Sequence, residues 1–209
     1  MRLPFLALAS FIPSSVVPRP TYNGGVDRAL NLLLYPSDLA SPGRLVKIAR
    51  SLSSLFSSTH VVGIDQGALP TDEAVAPTVH LTRIRGASLG APLGGVRVVG
   101  AWGARVYRRF ARQRVAAVSA QNLFLLPLAH ALARRTGAVF AYNAHELETE
   151  TVGSAGLRQR LQRVIERRYI RRADVVSVVN ESIAQWYREA YPGVDPVVVT
   201  NAPTGAEGV

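Results

Sequence analysis

The sequence predicts a doubly wound α/β domain, in which helices cover both faces of a parallel β-sheet. Between residues 28 and 203, short apolar runs alternate with segments whose apolar residues recur at helical spacing. Strands of a parallel sheet are buried on both faces, so they read as continuous apolar runs, and helical crossovers connect them. The chain has 209 residues, of which 48% are hydrophobic, so it can bury one sizeable core. The lengths of the repeated units favour one domain over two small ones.

Within this domain, strands and helices are expected to alternate along the chain. The predicted strands are residues 29–35, 60–65, 78–84, 115–120, 138–143, 175–179 and 197–200. The predicted helices are residues 45–56, 96–114, 123–135, 154–172 and 181–190. We expect an irregular arm over residues 1–27, a loop over 86–95 and a tail over 204–209.

Polar and special residues mark where these helices begin and end. Ser41 and Pro42 offer an N-cap and a first-turn proline for the first helix. Asn122 and Asn180 are N-cap candidates for two later helices, and Gly137 is placed to end the helix that begins after Asn122.

The chain is strongly basic, with a formal net charge of +10, and Lys47 is its only lysine. This balance favours an anionic partner, namely phosphate groups, an acidic membrane surface or nucleic acid, unless arginine simply fills the solvated basic positions. Nucleic acid is disfavoured because the sequence has neither an aromatic–basic RNA motif nor a helix-turn-helix pattern. Cysteine is absent, which excludes disulfides and thiolate metal sites.

The apolar start of the chain resembles a short signal peptide. Pro4 and Pro13 interrupt the run, however, and no small-x-small cleavage site follows at a suitable distance. The run is also too short to span a bilayer. We therefore expect a cytoplasmic protein.

In a parallel sheet of this kind, ligands bind beyond the carboxyl ends of the strands. The loop over residues 36–43 leads from the first strand into a helix N-terminus, where free N–H groups and the helix dipole favour a phosphate. An ordinary well-capped loop would have the same sequence. The candidate binding residues along this edge are Pro42, Gly43, Asn122, Asn143, Glu146, Ser182 and Asn201.

His145 is the candidate catalytic residue. It lies in the densest polar cluster of the chain, residues 142–150, directly after a predicted buried strand. A histidine there suits acid–base work or hydrogen bonding to a sugar, although a loop histidine bonded to backbone is the alternative. No metal site is expected, because H-E-x-x-H is absent and the carboxylates lack a recognised ligand spacing. His60, His80 and His130 are expected to be structural.

The helix predicted over residues 154–172 carries seven arginines between Arg158 and Arg172. Its apolar face is predicted to consist of Leu157, Leu161, Val164 and Ile165. The arginines suit docking on an anionic lipid surface, or form a solvated face partly paired with Glu166.

Three segments together resemble family-4 glycosyltransferases. They are SDLASPGRLVKIARSLSS after the first strand, VFAYNAHELETE around His145, and VIERRYIRRADVVSVVNESIAQWYREAYPGVDPVVVTNAP near the end. The resemblance implies the GT-B fold, with two Rossmann-like domains and a cleft between them. It further implies transfer of a sugar from a nucleotide-diphosphate sugar to a glycan or lipid-linked acceptor, with retention of configuration and without a metal.

Under this resemblance the chain corresponds to the N-terminal, acceptor-side domain, and the donor-binding domain would follow Val209. His145 would contact the donor sugar, Pro42 and Gly43 would lie beside the diphosphate, and Asn201 would sit at the domain junction. Asn143 stands where the family usually has aspartate, and residues 119–122 lack the histidine often found there. Polysaccharide or cell-envelope assembly, at the inner face of the membrane, is the expected setting. A non-catalytic module that binds a phosphorylated or lipid-linked ligand is the alternative.

Overall fold

An eight-stranded sheet forms the centre of the molecule in a computed structural model, which describes residues 29–86, 94–147 and 157–200. Its strands are β1 (Leu30–Leu34), β2 (Ser58–Asp65), β3 (Asp72–Ala76), β4 (Val79–Arg85), β5 (Val115–Ala120), β6 (Val139–Ala144), β7 (Val175–Val178) and β8 (Val197–Val198). The helices are α1 (Gly43–Leu52), α2 (Gly94–Phe110), α3 (Leu126–Thr136), α4 (Leu157–Tyr169) and α5 (Glu181–Ala190).

The strands lie in the order β3-β4-β2-β1-β5-β6-β7-β8, and β3 alone runs antiparallel to its neighbour. The sequence predicts every parallel strand, and the doubly wound parallel sheet is confirmed, but the antiparallel edge strand β3 is not predicted. β3 (DEAVA) begins with three exposed residues and has neither an apolar run nor a strict alternation. Pairing with β4 across a tight turn, rather than burial, therefore makes it a strand.

Helices cover both faces of the sheet, as the sequence predicts for a doubly wound fold. Leu33, on one face, packs in a cluster with Leu45 and Ala49 of α1. Leu32 and Leu34, on the other face, belong to the larger cluster that contains residues of α2, α3 and α5. Alternate residues of one strand therefore serve two cores, which is why the strands are apolar throughout.

Three of the predicted helix boundaries are confirmed. The side chain of Asn122 accepts from the Phe124 amide at 3.0 Å, although it caps a 3₁₀ turn (Leu123–Leu125) that leads into α3. Asn180 accepts from the Ile183 amide at 2.9 Å and caps α5. Gly137 adopts φ 73° and ends α3 in the left-handed conformation. The prediction for α1 is wrong, because Pro42 occupies the N-cap and no side chain caps the helix.

α4 buries a different face from the one that the sequence predicts. Leu161 and Val164, expected on the buried face, are 37% and 63% exposed, while Gln162 and Glu166 are buried. Glu166 accepts hydrogen bonds from the Tyr187 hydroxyl at 2.9 Å and the Tyr191 hydroxyl at 2.7 Å. The two tyrosines come from α5 and its C-cap, so tertiary partners, which helical spacing cannot reveal, decide which side of α4 faces inward.

The three histidines expected to be structural are held by protein contacts. The ring of His60 lies between the Ser58 and Thr82 hydroxyls, at 3.1 and 2.9 Å, and stacks on His80. His130 packs edge-on against Phe140. The fourth histidine, His145, follows β6 and lies at the carboxyl edge of the sheet.

Replacing Glu166 with alanine should lower the free energy of unfolding by about 2–5 kcal/mol, because two buried hydroxyls lose their acceptor. Urea denaturation followed by circular dichroism measures the change. Glu189→Ala, on the exposed face of α5, is the matched control and should change stability by less than about 0.5 kcal/mol. Equal stability of the two variants would show that the Glu166 contacts contribute nothing.

Candidate functional site

The strand order reverses at β1, because the chain proceeds to β2 on one side and later returns to β5 on the other. Ligands of open α/β sheets bind at the carboxyl ends of the strands beside such a reversal. The loop after β1, the residues after β5 and the residues after β6 meet there. This carboxyl edge is the candidate functional site.

The loop between β1 and α1 folds tightly across β2. The Ile64 amide donates to the Ser37 carbonyl at 2.6 Å, and Leu39 is buried with φ 58°. A Cβ atom on Gly63 would lie 2.5 Å from Leu39 Cγ and 2.6 Å from the Ser37 oxygen. Only glycine therefore lets the loop approach β2 so closely.

A buried arginine anchors the same loop through hydrogen bonds to its backbone. Arg83, on β4, is only 4% exposed. Its guanidinium donates to the backbone oxygens of Asp38 at 2.7 Å and Leu39 at 3.1 Å. It also donates to the Pro70 oxygen at 2.7 Å and to a carboxylate oxygen of Glu73 at 3.1 Å. Arg83 thus fixes the loop that sets where α1 begins.

α1 starts at Gly43 with no side-chain cap, so the first amides of the helix have no side-chain acceptor. A Cβ atom on Gly43 would meet no heavy atom within 4 Å, so the space beside it is open. The site therefore presents the positive end of a helix dipole to that space. This position of Pro42 and Gly43 suits the phosphate site that the sequence predicts.

A chain of polar side chains leads from β5 to His145. The Gln121 side-chain amide donates to Ser119 Oγ at 2.8 Å, and its oxygen lies 3.1 Å from His145 Nε2. An amide oxygen only accepts, so Nε2 is the protonated nitrogen of His145 in this pair. The neutral ring consequently keeps Nδ1 as an acceptor.

His145 is neutral at physiological pH. Burial, and next the positive charge of Arg44, lower its pKa to about 4. Arg44 is in the first turn of α1, and its charge acts on His145 in the loop after β6. Protonation of His145 is thus disfavoured in the folded state. As the pH falls from about 6.5 to about 4, the unfolded chain binds a proton at His145 and the folded protein does not, so the free energy of unfolding decreases.

Asn143 lies on β6 opposite Ser177 of β7, and the Ser177 hydroxyl donates to its side-chain oxygen. Because that oxygen is occupied, the amide N–H₂ group is what Asn143 offers to a ligand. An aspartate here would supply a negative charge instead. The Ser177 hydroxyl can donate to the oxygen of an amide as well as to that of a carboxylate, so it is compatible with asparagine here.

The remaining predicted site residues are less central. Asn122 uses its side-chain oxygen as a helix cap, and Glu146 is exposed beside His145. Ser182 is exposed in the first turn of α5, beyond β7 and two strands from β5. Asn201 lies outside the residues that the structure describes. Across the described ranges, no three His, Asp or Glu side chains are grouped so that they could hold a metal ion.

Sequence reasoning placed Gln121 at the carboxyl edge without a role, and it missed Arg44 and Arg83. Gln121 directly follows β5, and that position is the one available signal in the sequence. Arg83 lies in an apolar strand, where a lone arginine is a signal of a buried partner. Nothing in the sequence pairs Arg44 with His145, since about a hundred residues separate them.

Comparison with known proteins identifies the family. Residues 44–204 match the model of the glycosyl transferase 4-like domain. The chain belongs to this family. The match begins at Arg44, in the first turn of α1, so it includes Gln121, Asn143 and His145 but not the loop before α1. It confirms the resemblance drawn from the sequence motifs. Among curated protein sequences, none matches the chain significantly.

Solved structures share the fold of this glycosyl transferase 4-like domain. Sucrose-phosphate synthase from Thermosynechococcus elongatus is 11% identical with a TM-score of 0.68, and the match covers 83% of this chain and 48% of that one. A second structure of that protein matches with 10% identity, a TM-score of 0.63 and coverage of 84% and 90%. A ugt transferase from Siraitia grosvenorii in complex with UDP has 10% identity, a TM-score of 0.54 and coverage of 84% and 51%. The chain thus spans about half the length of the longer structures it matches.

Replacing Arg83 with methionine should destabilise the domain by about 2–4 kcal/mol, because several backbone carbonyls lose a buried charged donor. Amide hydrogen exchange over residues 37–41 should accelerate, since the loop loses its anchor. Arg85→Met, at an exposed position on the same strand, is the control and should alter neither quantity. Unchanged exchange in Arg83→Met would mean that Gly63 and Leu39 alone fix the loop.

Proposed function

We propose that this domain is the acceptor-side half of a retaining glycosyltransferase. The enzyme would transfer a sugar from a nucleotide-diphosphate sugar to a glycan or lipid-linked acceptor. The observation that carries the proposal is that His145 lies at the same carboxyl edge as the open N-terminus of α1, where burial and the charge of Arg44 keep it neutral. Family membership supports the class of reaction.

In this reaction the bond between the anomeric carbon and the diphosphate breaks, and negative charge grows on the leaving diphosphate. We assign the stabilisation of that charge to the first amides of α1, around Gly43, and to the guanidinium of Arg44. The cleaved bond is replaced by one to an acceptor hydroxyl, whose proton leaves with the diphosphate. These groups supply positive charge from the protein, in line with the expectation that no metal is needed.

His145 would orient the donor sugar. As a neutral ring with Nε2–H directed to Gln121, it offers Nδ1 to a sugar hydroxyl as an acceptor. A cationic imidazolium would lose this acceptor and would repel Arg44. The lowered pKa of about 4 therefore fits a role in hydrogen bonding rather than in proton transfer near neutral pH.

The second half of the site would come from a further domain that holds the donor nucleotide. The longer matching structures, about twice as long as the aligned region, are in keeping with this division. A non-catalytic module that binds a phosphorylated or lipid-linked ligand would need only the loop and α1. It would not require a neutral histidine at the same edge, so we favour the transferase.

His145→Ala should reduce the turnover rate by about a hundredfold or more, in the range of a positioned catalytic group, when assayed with both halves of the enzyme present. Gln121→Ala should cause a smaller loss, because it removes only the group that orients the ring. Thermal unfolding of both variants should stay within a few degrees of the parent. Normal turnover in His145→Ala, or activity lost only through unfolding, would return His145 to a structural role.

We further propose that α4 attaches the protein peripherally to an anionic membrane surface, on the cytoplasmic side. Leu161 and Val164 are exposed on its outer face, among the exposed arginines Arg160, Arg163 and Arg167. Aliphatic groups flanked by arginine suit the boundary between lipid headgroups and acyl chains. Across the described residues, no helix combines the length and the apolar character needed to cross a bilayer.

Binding to vesicles that contain phosphatidylglycerol should weaken several-fold in the double variant Leu161→Gln/Val164→Gln. It should weaken further as salt is raised, because the Debye length is only about 8 Å at physiological ionic strength. Leu55→Gln removes an exposed leucine elsewhere, 47% exposed, and should leave binding unchanged. Cosedimentation with vesicles measures the binding of the parent protein, the double variant and the Leu55 variant. Equal binding to neutral phosphatidylcholine vesicles would contradict an electrostatic attachment.

A further inference from the structure

A pocket of about 390 Å³ lies at the opposite end of the domain from the candidate site. Crossover helices run antiparallel to the strands, so the ends of α2 and α3 lie at the amino edge of the sheet. α3 has 11 residues, which separates this pocket from the carboxyl edge by roughly 16 Å at 1.5 Å per residue. The lining residues are Tyr107, Arg108, Ala111, Arg112 and Arg135.

Three of these five lining residues are exposed arginines, and none is an acid. Within the described part of the chain, Arg108, Arg112 and Arg135 form no ion pair. The adjacent Arg109 does have one, at 3.5 Å from Asp72. The three guanidinium groups therefore line one cavity in which no anion from the described residues offsets their repulsion.

Helix capping does not account for this arrangement. Arginine is favourable at a helix C-terminus when it lies near the last carbonyl groups. Arg108 instead donates to the Ala104 oxygen at 3.3 Å, one turn back within α2. In the described ranges, Arg112 and Arg135 donate to no carbonyl. Their donors are thus available to a ligand in the pocket.

The surrounding charge is also positive. On the neighbouring part of α3, burial and then the charges of Arg172, Arg134 and Arg168 lower the pKa of His130, against which only Asp174 acts in the opposite direction. These arginines surround His130 and add to the net charge of +10, which attracts an anion to the domain.

We propose that this arginine pocket binds a phosphate-bearing anion, through Arg108, Arg112 and Arg135. Guanidinium groups match phosphate oxygens as paired, parallel donors, and Tyr107 adds a hydroxyl. The volume accommodates a diphosphate or a lipid phosphate headgroup. The pocket lies at the opposite edge of the sheet from the N-terminus of α1, so it is distinct from the diphosphate position in the proposed function. The proposal therefore stands independently of glycosyl transfer.

The double variant Arg108→Gln/Arg135→Gln tests this against a control that loses the same charge. Lys47→Gln/Arg50→Gln removes two cations from exposed positions on α1, on the other face of the sheet. Circular dichroism first establishes that both variants are folded. Inorganic pyrophosphate is then titrated by calorimetry, and vesicles with and without phosphatidic acid are tested by cosedimentation.

Loss of a calorimetric binding event, or at least about a tenfold loss of affinity, in Arg108→Gln/Arg135→Gln alone supports the site and a soluble phosphoanion as ligand. The same selective loss with phosphatidic acid vesicles alone supports the site and a lipid headgroup as ligand. Arg112→Lys keeps the charge but not the paired donors, so it should weaken binding as well. Equal behaviour of the two double variants with both probes would overturn the proposal, because binding would then follow net charge only.

Discussion

The close approach of Ser37 and Leu39 to Gly63 is the constraint on which the carboxyl edge depends. A side chain on residue 63 would occupy the same space as the Leu39 side chain and the Ser37 carbonyl. Because the loop can therefore lie flat across β2, its carbonyls reach the buried guanidinium of Arg83. Close packing on one side and charged hydrogen bonds on the other leave the loop one conformation, including the left-handed Leu39.

The start of α1 follows from that loop, and the chemistry of His145 follows from α1. A helix that begins at Gly43 without a side-chain cap keeps its first amides for a ligand. It also brings Arg44 near His145, where its charge adds to burial in keeping the ring neutral. Gln121 then selects the tautomer. The neutral state of His145, which follows β6, thus depends on Gly63 of β2 and Arg83 of β4.

A different buried group organises the packing of α4 against α5. Glu166 accepts from two tyrosines of the α5 region, and burial, followed by the neighbouring Tyr142 and Glu166, raises the pKa of Tyr187 well above its ordinary value. The hydroxyls therefore remain protonated donors. This polar contact turns Leu161 and Val164 outward, so a structural requirement of the core places apolar groups on the surface among arginines.

The sequence by itself determined the parallel strands, the helices between them, the Asn122, Asn180 and Gly137 boundaries and the family. These features depend on local periodicity, on short-range backbone hydrogen bonding and on ordered motifs, all of which a linear sequence contains. It also placed His145 and Gly43 at the carboxyl edge, because parallel topology brings the ends of all parallel strands together. Only the tertiary structure decided that β3 pairs as an edge strand, that α4 buries Glu166 and exposes Val164, that Arg83 and Arg44 act on the site, and that Gln121 contacts His145. Each of these outcomes rests on contacts between residues far apart in the chain, whose energies depend on burial and distance rather than on sequence spacing.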